Sequence, residues 1–403
     1  MFEPIRSQSK SRRSRGRSQN PPLHHSTVLS FPSIILLLIL VIGGLVVSNF
    51  VGCKREPEVY KIGAILPLTG SASMLGDFIK SGIDIAVQHI NKKGGIKGKK
   101  IEIVYEDSKN DPKEGISAFN KLVSMQGLPV IISAMSSVTN AIIPLADRNQ
   151  TPLFATTVSA AGVTDKSEYV FRLFITADID AATMARYAAN KMKLKKVAVL
   201  YVNDDFGMSF KDVFSQTFAE EGRKIVWAES FEKGESNFRG IITKLKSMDF
   251  QAVYLLGYEK GLGILVKQLR EFGITKPILS IATIAQPYVR EQAGDALNNT
   301  YFTSTIFNPD SPKSDIARKF ISEYETQFGK KPNYFSAFAY DAMFLLSEAI
   351  RSHGYTKDGI KKGLLAIKDI QGVMGNITIK SNGDAAFPMI VKKFEGGKII
   401  DAD

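Results

Sequence analysis

Residues 60–112, YKIGAILPLTGSASMLGDFIKSGIDIAVQHINKKGGIKGKKIEIVYEDSKNDP, admit few folds. Residues 62–66 are a short apolar run that stops at Pro67, as a buried parallel strand does. The loop 69–76 follows. Residues 78–90 then place Ile79, Ile83, Ile85, Ala86, Val87 and Ile90 mostly at helical spacing. Lys93-Gly94-Gly95 ends that helix, because glycine takes the left-handed cap conformation without a Cβ clash. Residues 101–105 make the next strand. A strand-helix-strand unit starts a doubly wound sheet, whose ligands lie beyond the carboxyl ends of the strands. The loop 69–76 is therefore expected at the lip of a ligand cleft.

The same alternation continues almost to the end. Strands are expected at 130–133, 152–156, 196–201, 224–230, 252–256, 277–281 and 300–304. Helices are expected near 139–148, 179–193, 208–221, 238–247, 261–272, 314–328 and 336–353. This pattern predicts an α/β fold with mainly parallel sheets. A break near 172–178 divides it into two similar halves, each a Rossmann-like, doubly wound lobe.

Residues 1–28 carry Arg6, Lys10, Arg12, Arg13, Arg15 and Arg17 against one acid, Glu3. An apolar run of 14 residues, 34–47, follows, and Ser48 to Gly52 lead to Cys53. A basic region, an apolar region and a small residue before a cleavage point read as an export signal. The run is short of the ~20 residues that a membrane-spanning helix needs. A charge run beside an export segment sets orientation, so no nucleic-acid partner is expected. Setting aside residues 1–53 removes six basic residues from 52 and one acidic residue from 40, which leaves a net charge of +7. That favours solubility over a polyanionic partner. The 350 residues that remain can bury two cores.

Cys53 is the only cysteine, so no intramolecular disulfide can form. Phe50-Val51-Gly52-Cys53 resembles a bacterial lipoprotein box, although Phe50 stands where Leu is typical. The resemblance implies a lipid on Cys53 and attachment to a membrane through it. The alternative is an uncleaved signal anchor with an incidental cysteine. Either places residues 54–403 outside the cytoplasmic membrane, in the periplasm or at the cell surface.

Catalysis is not expected. His24 and His25 lie in the basic arm, which leaves His89 and His353, neither near a nucleophile or a metal-like cluster. The loop 69–76 lacks the lysine-containing spacing of a phosphate loop. No cofactor and no metal are expected.

Motif residues run the length of the chain in order. They are Ile62-Gly63, Pro67-Leu68-Thr69-Gly70, Gly76, Gly82, Ala86-Val87, Ile90-Asn91, Gly94 to Gly98 and Asp107 to Pro112. Ser136-Ser137-Val138-Thr139, Ala339-Tyr340-Asp341-Ala342 and Val373-Met374-Gly375 follow. With these, the chain from Val59 to Asp403 resembles the type I periplasmic solute-binding proteins, in the leucine/isoleucine/valine-binding branch that serves ABC transporters. The resemblance implies two α/β lobes joined by three crossovers, with the ligand between them. Residues 1–53 would be the arm and signal, and 54–58 a tether. One lobe would hold 59–177 plus 306–383, the other 178–305 plus 384–403. The implied role is capture of a small polar solute for ABC permease subunits. A lipid-anchored sensor that signals to a membrane partner is the other reading.

The resemblance also implies a site. Ser136 and Ser137 open a helix, where amides favour an anion and hydroxyls add donors; Ser136 is the leading carboxylate anchor. Thr157 and Ser159 match positions that hold a ligand's carboxylate and ammonium. Leu75, Phe206 and Tyr258 match apolar or aromatic cleft walls, and Tyr334 or Phe335 reaches the same cleft. Tyr340 and Asp341 read as structural. Amino-acid-binding relatives place an acid after the strand at 277–281, to meet the ammonium. Here that position is Ala282. A buried ammonium without a partner costs several kcal/mol. Either Asp204, Asp205 or Glu259 substitutes, or the solute lacks an ammonium and is a carboxylate, an aromatic acid or an amide.

Overall fold

The computed structural model describes residues 59–258 and 260–402. Cys53 and Glu259, a lipidation site and a candidate ammonium partner by sequence, lie outside the described residues. The first layer is built from β1 (Val59–Leu66), α1 (Ser73–Lys92), β2 (Lys100–Asp107), α2 (Pro112–Phe119), β3 (Ile131–Ser133), α3 (Ser136–Arg148), β4 (Leu153–Ala155) and β5 (Val170–Arg172). Its five strands are all parallel, in the order β2-β1-β3-β4-β5.

The second layer follows as α4 (Ala177–Asn190), β6 (Lys196–Val202), α5 (Asp205–Glu220), β7 (Lys224–Phe231), α6 (Arg239–Lys246), β8 (Ala252–Leu256), α7 (Lys260–Glu271), β9 (Ile278–Ile281), α8 (Pro287–Ala293) and β10 (Thr300–Thr305). The chain then adds α9 (Asp315–Phe328), α10 (Tyr334–His353) and α11 (Lys357–Leu365). A hairpin of β11 (Ile370–Gly372) and β12 (Gly375–Ile377) precedes β13 (Met389–Glu395) and β14 (Lys398–Asp401). The second sheet has seven strands in the order β14-β13-β10-β9-β8-β6-β7, parallel from β10 to β7 and antiparallel at β13 and β14.

α9 and α10 pack on α1, whereas β13 returns to β10. The chain thus crosses between the layers three times: after β5, after β10 and before β13. The fold is α/β, with two doubly wound lobes, as the sequence reading has it. Central strands such as β8 are buried throughout and read as continuous apolar runs, the mark of a parallel strand covered on both faces. Two glycines set close approaches. A Cβ on Gly82 would stand 2.1 Å from the Ser336 carbonyl oxygen where α1 meets α10, and one on Gly76 would stand 2.0 Å from that of Pro67.

Some elements differ from the sequence reading. α1 begins at Ser73, so half of the loop 69–76 is its first turn. The three-residue strands β5, β11 and β12 are too short to show a period. β13 runs antiparallel and half-buried at residues with no sustained apolar run. α2 is capped by Asp111, whose carboxylate accepts the amides of Lys113 and Glu114, with Pro112 at the first turn. Asp341, fully buried in α10, accepts the amides of Val373 and Met374 at 2.8 Å each and pins the β11–β12 turn. Burial pushes its carboxyl up to about 7, against those two amide donors. Tyr340 bonds His89 Nδ1 at 2.9 Å inside the first layer. Both residues serve packing.

Candidate functional site

Both sheets end their parallel strands at one cavity, of about 40 Å³, lined by residues of both layers. Its size limits an occupant to a small molecule. The first layer contributes the turn after β3 and the loop after β4. Met135, between β3 and α3, has φ +70°, and Thr157, after β4, has φ +58°. The left-handed region is uncommon for any residue with a Cβ and is an outlier for a β-branched one. Such positions cost about 1–3 kcal/mol each and persist where the surroundings impose them. The two strained turns are joined by the Met135 amide, which donates to the Thr157 carbonyl at 3.3 Å.

Ser136 is the first residue of α3, one place beyond the cap position, and α3 has no side-chain cap. Its opening amides are therefore left to a ligand or water. Ser136 Oγ accepts the Ala160 amide at 3.2 Å and keeps its proton to donate. The Thr157 hydroxyl is buried without a hydrogen-bond partner. Ser159 also lines the cavity, and its carbonyl takes the Ala177 amide at 2.7 Å. Arg172 supports this loop from below. Its guanidinium donates to the Ala160 carbonyl at 2.6 Å and forms a bidentate pair with Asp384, at 2.6 and 3.0 Å, in the third crossing.

The second layer contributes rings and acids. Phe206 and Tyr258 meet edge to face at 5.3 Å, and Phe210 stands 4.8 Å behind Phe206. Tyr258 Oη donates to Asp204 and accepts from Asn110 Nδ2, across the cleft, at 3.0 Å. Lys233 Nζ reaches the Asn110 carbonyl at 2.9 Å. Asp204 also caps α5 by accepting the Gly207 amide at 2.9 Å. Burial raises its carboxyl, opposed by the Tyr258 and Gly207 bonds and by Lys233. Asp180, in the first turn of α4, lines the cavity and accepts from the Thr303 hydroxyl. Burial pushes it up to about 7, against that one bond.

Of the residues that sequence singles out, Leu75, Ser136, Thr157, Ser159, Phe206, Tyr258 and Ala282 line this cavity, as do Asp204, Tyr334 and Phe335. Ser137 does not. Its hydroxyl accepts the Asp205 amide at 3.2 Å and so joins the layers beside the cavity. Asp205 is likewise off the cavity, bonded to Asn140. Thr157 is buried. Ala282 opens a short helical turn after β9 and brings no charge. Sequence reasoning misses Asn110, Met135, Phe174, Asp180 and Phe210 among the lining residues. Asn110 follows β2 at its carboxyl end, where the strand-end rule could have found it. Asp180 lies just past the break at 172–178, in a stretch that reads only as a helix start. Among the described residues no His, Asp and Glu side chains converge as a metal site, and no helix is long and apolar enough to cross a membrane.

Comparison with known proteins adds the family. A family model described as periplasmic binding protein matches residues 59–398. The Leu/Ile/Val-binding protein homolog 3 of Brucella melitensis is 30% identical over 346 residues, which cover 84% of this chain and 92% of that protein. The leucine-binding protein LivK of Thermotoga maritima superposes with a TM-score of 0.79 at 27% identity, over 86% of this chain and 98% of that one. LivJ of Streptococcus pneumoniae, solved in complex with isoleucine, gives 0.77 at 28% identity, over 85% and 97%. The chain therefore belongs to the type I periplasmic binding proteins of the branched-chain amino acid family, whose members bind solutes and are not enzymes.

Proposed function

We propose that this chain is the extracytoplasmic solute-binding component of an ABC importer. It captures one small polar solute, an amino acid or a related carboxylate or amide, by closing two lobes on it. The lobes are 59–177 plus 306–383 and 178–305 plus 384–403, and the three crossings act as the hinge. One observation carries the reading: the cavity between the layers has an uncapped helix start at Ser136 beside the unpartnered hydroxyl of Thr157. Buried polar groups in that state call for a ligand or water. The names of the relatives, which bind leucine, isoleucine and valine, support the solute class. In this reading Ser136, Thr157 and Ser159 hold the solute's polar end. Leu75, Phe206 and Tyr258 enclose its side chain. A lipid on Cys53 tethers the protein outside the cytoplasmic membrane, beside its permease.

A thermal-shift screen over amino acids, aromatic acids, amides and short peptides tests the proposal. A hit should bind one per chain at micromolar or tighter affinity, and Ser136→Ala should weaken a carboxylate-bearing hit by roughly 1–3 kcal/mol. A folded sample that responds to none of these solutes would remove the binding role. Mass spectrometry of membrane-extracted protein tests the tether: a lipidated Cys53 terminus is expected, and an intact Met1 terminus would replace it with a signal anchor.

A further inference from the structure

We propose that Asp180, at the start of α4, is the residue that meets a cationic nitrogen of the solute, so this cleft selects ammonium-bearing ligands although Ala282 brings no acid. This rests on the solute-binding reading above and narrows it. Among the described residues the cavity wall contains two carboxylates, Asp180 and Asp204, and no lysine or arginine. It also contains Phe174, Phe206, Phe210, Tyr258, Tyr334 and Phe335. An aromatic wall with acids attracts a cation and repels a lone anion.

The two acids are not equivalent. Asp204 is occupied by Tyr258 Oη and the Gly207 amide, and it lies in the field of Lys233. Its work is to cap α5 and hold Tyr258. Asp180 takes its side-chain bond from one neutral hydroxyl, Thr303 of β10. Among the described residues, the ionisable groups in electrostatic reach of Asp180 include the phenols of Tyr254 on β8 and Tyr334 on α10. Burial raises both well above their ordinary value, so they stay neutral. The other charged residues of α4, Asp178 and Arg186, face solvent. Among the described residues Asp180 is thus a buried carboxyl with no cation of its own at the edge of the cavity. A second observation points to the same space: the Thr157 hydroxyl across the cavity is buried and unpartnered.

The chemistry balances simply. The carboxyl of the empty cleft, titrating near 7, loses its proton to solvent as the ammonium arrives, and the carboxylate and ammonium form the pair. Amine binding therefore releases a proton and strengthens as pH rises through 7. Binding of an amine-free carboxylate would favour the protonated acid and show the opposite sign.

The test titrates the full chain, in detergent, with L-leucine and L-phenylalanine and with their amine-free counterparts, 4-methylpentanoate and 3-phenylpropanoate. Calorimetry at pH 6 and 8, in buffers of different ionisation heat, reads affinity and proton release together. An amine-bearing probe should bind with proton release, about tenfold tighter at pH 8 than at pH 6. Asp180→Asn should weaken it by at least about tenfold and abolish the pH dependence, the range for a lost charge partner. Two results would overturn the proposal while leaving solute binding intact: amine-free probes that bind the wild type as tightly, or Asp180→Asn with affinity and proton release unchanged. Benzoate and acetamide complete the panel, and a folded protein that binds no probe would overturn the solute-binding reading and this one together.

Discussion

The two walls of the cleft are built differently. The first-layer wall presents its polar groups through backbone, the uncapped start of α3 and two turns held at positive φ by Met135 and Thr157, beside the rings of Phe174, Tyr334 and Phe335. The second-layer wall is made of side chains: Phe206 and Tyr258 as rings, Asp204 and Asp180 as acids. Backbone groups accept many polar ligands, because every residue supplies the same donor and acceptor. Side chains change with single substitutions. The first wall therefore fixes that a polar group is held, and the second decides which solute it belongs to.

The largest effect should come from beneath the first wall. Arg172 is 1% exposed and pairs with Asp384 while it holds the Ala160 carbonyl. Arg172→Met leaves the half-buried Asp384 carboxylate and the Ala160 carbonyl without their partner. Denaturant unfolding should show a loss of about 3–5 kcal/mol, the cost of breaking a buried pair. A loss under about 1 kcal/mol would mean that the site loop is held by its strands alone.

A middle effect is expected on the second wall. Tyr258→Phe removes the hydroxyl that links Asp204 to Asn110 across the cleft. Affinity for a solute found by screening should fall by about 1–3 kcal/mol, the cost of an unsatisfied buried group. Unfolding of the empty protein should change by less. Equal changes in both would make Tyr258 a core residue, not a closing one.

The smallest effect returns to the first wall. Thr157→Gly relieves a β-branched residue at φ +58°. The fold should gain about 1 kcal/mol while solute affinity drops, because the hydroxyl is lost with the strain. Stability and affinity that fall together would show that the strain has no link to binding.

The contrast also explains what was legible in the sequence. Ser136 and Thr157 follow apolar strands at their carboxyl ends, where topology places a cleft, and the family resemblance singles them out there. The alternation that places β1 to β4 and β6 to β10 comes from the apolar period. Ala282 is legible only against the family pattern, as a missing acid. Asp180 is not legible, because its role depends on α4 packing against β9 and β10, which brings the Thr303 hydroxyl to it and Tyr254 of β8 within electrostatic reach, from more than 70 residues away. Ser137 misleads, since one step along a helix turns a side chain by ~100°, away from the cavity and toward Asp205. The antiparallel β13 and β14 carry too little apolar period to be seen until they pair with β10.

The central claim is that one small solute lies between these two walls. The most direct measurement is a crystal structure of the protein with its tightest-binding solute from the screen. The account predicts that solute enclosed in the cavity, its polar end within hydrogen-bonding distance of Ser136 and Thr157 and its body against Phe206 and Tyr258. A solute bound elsewhere on the protein, with this cavity still closed and empty, would contradict it.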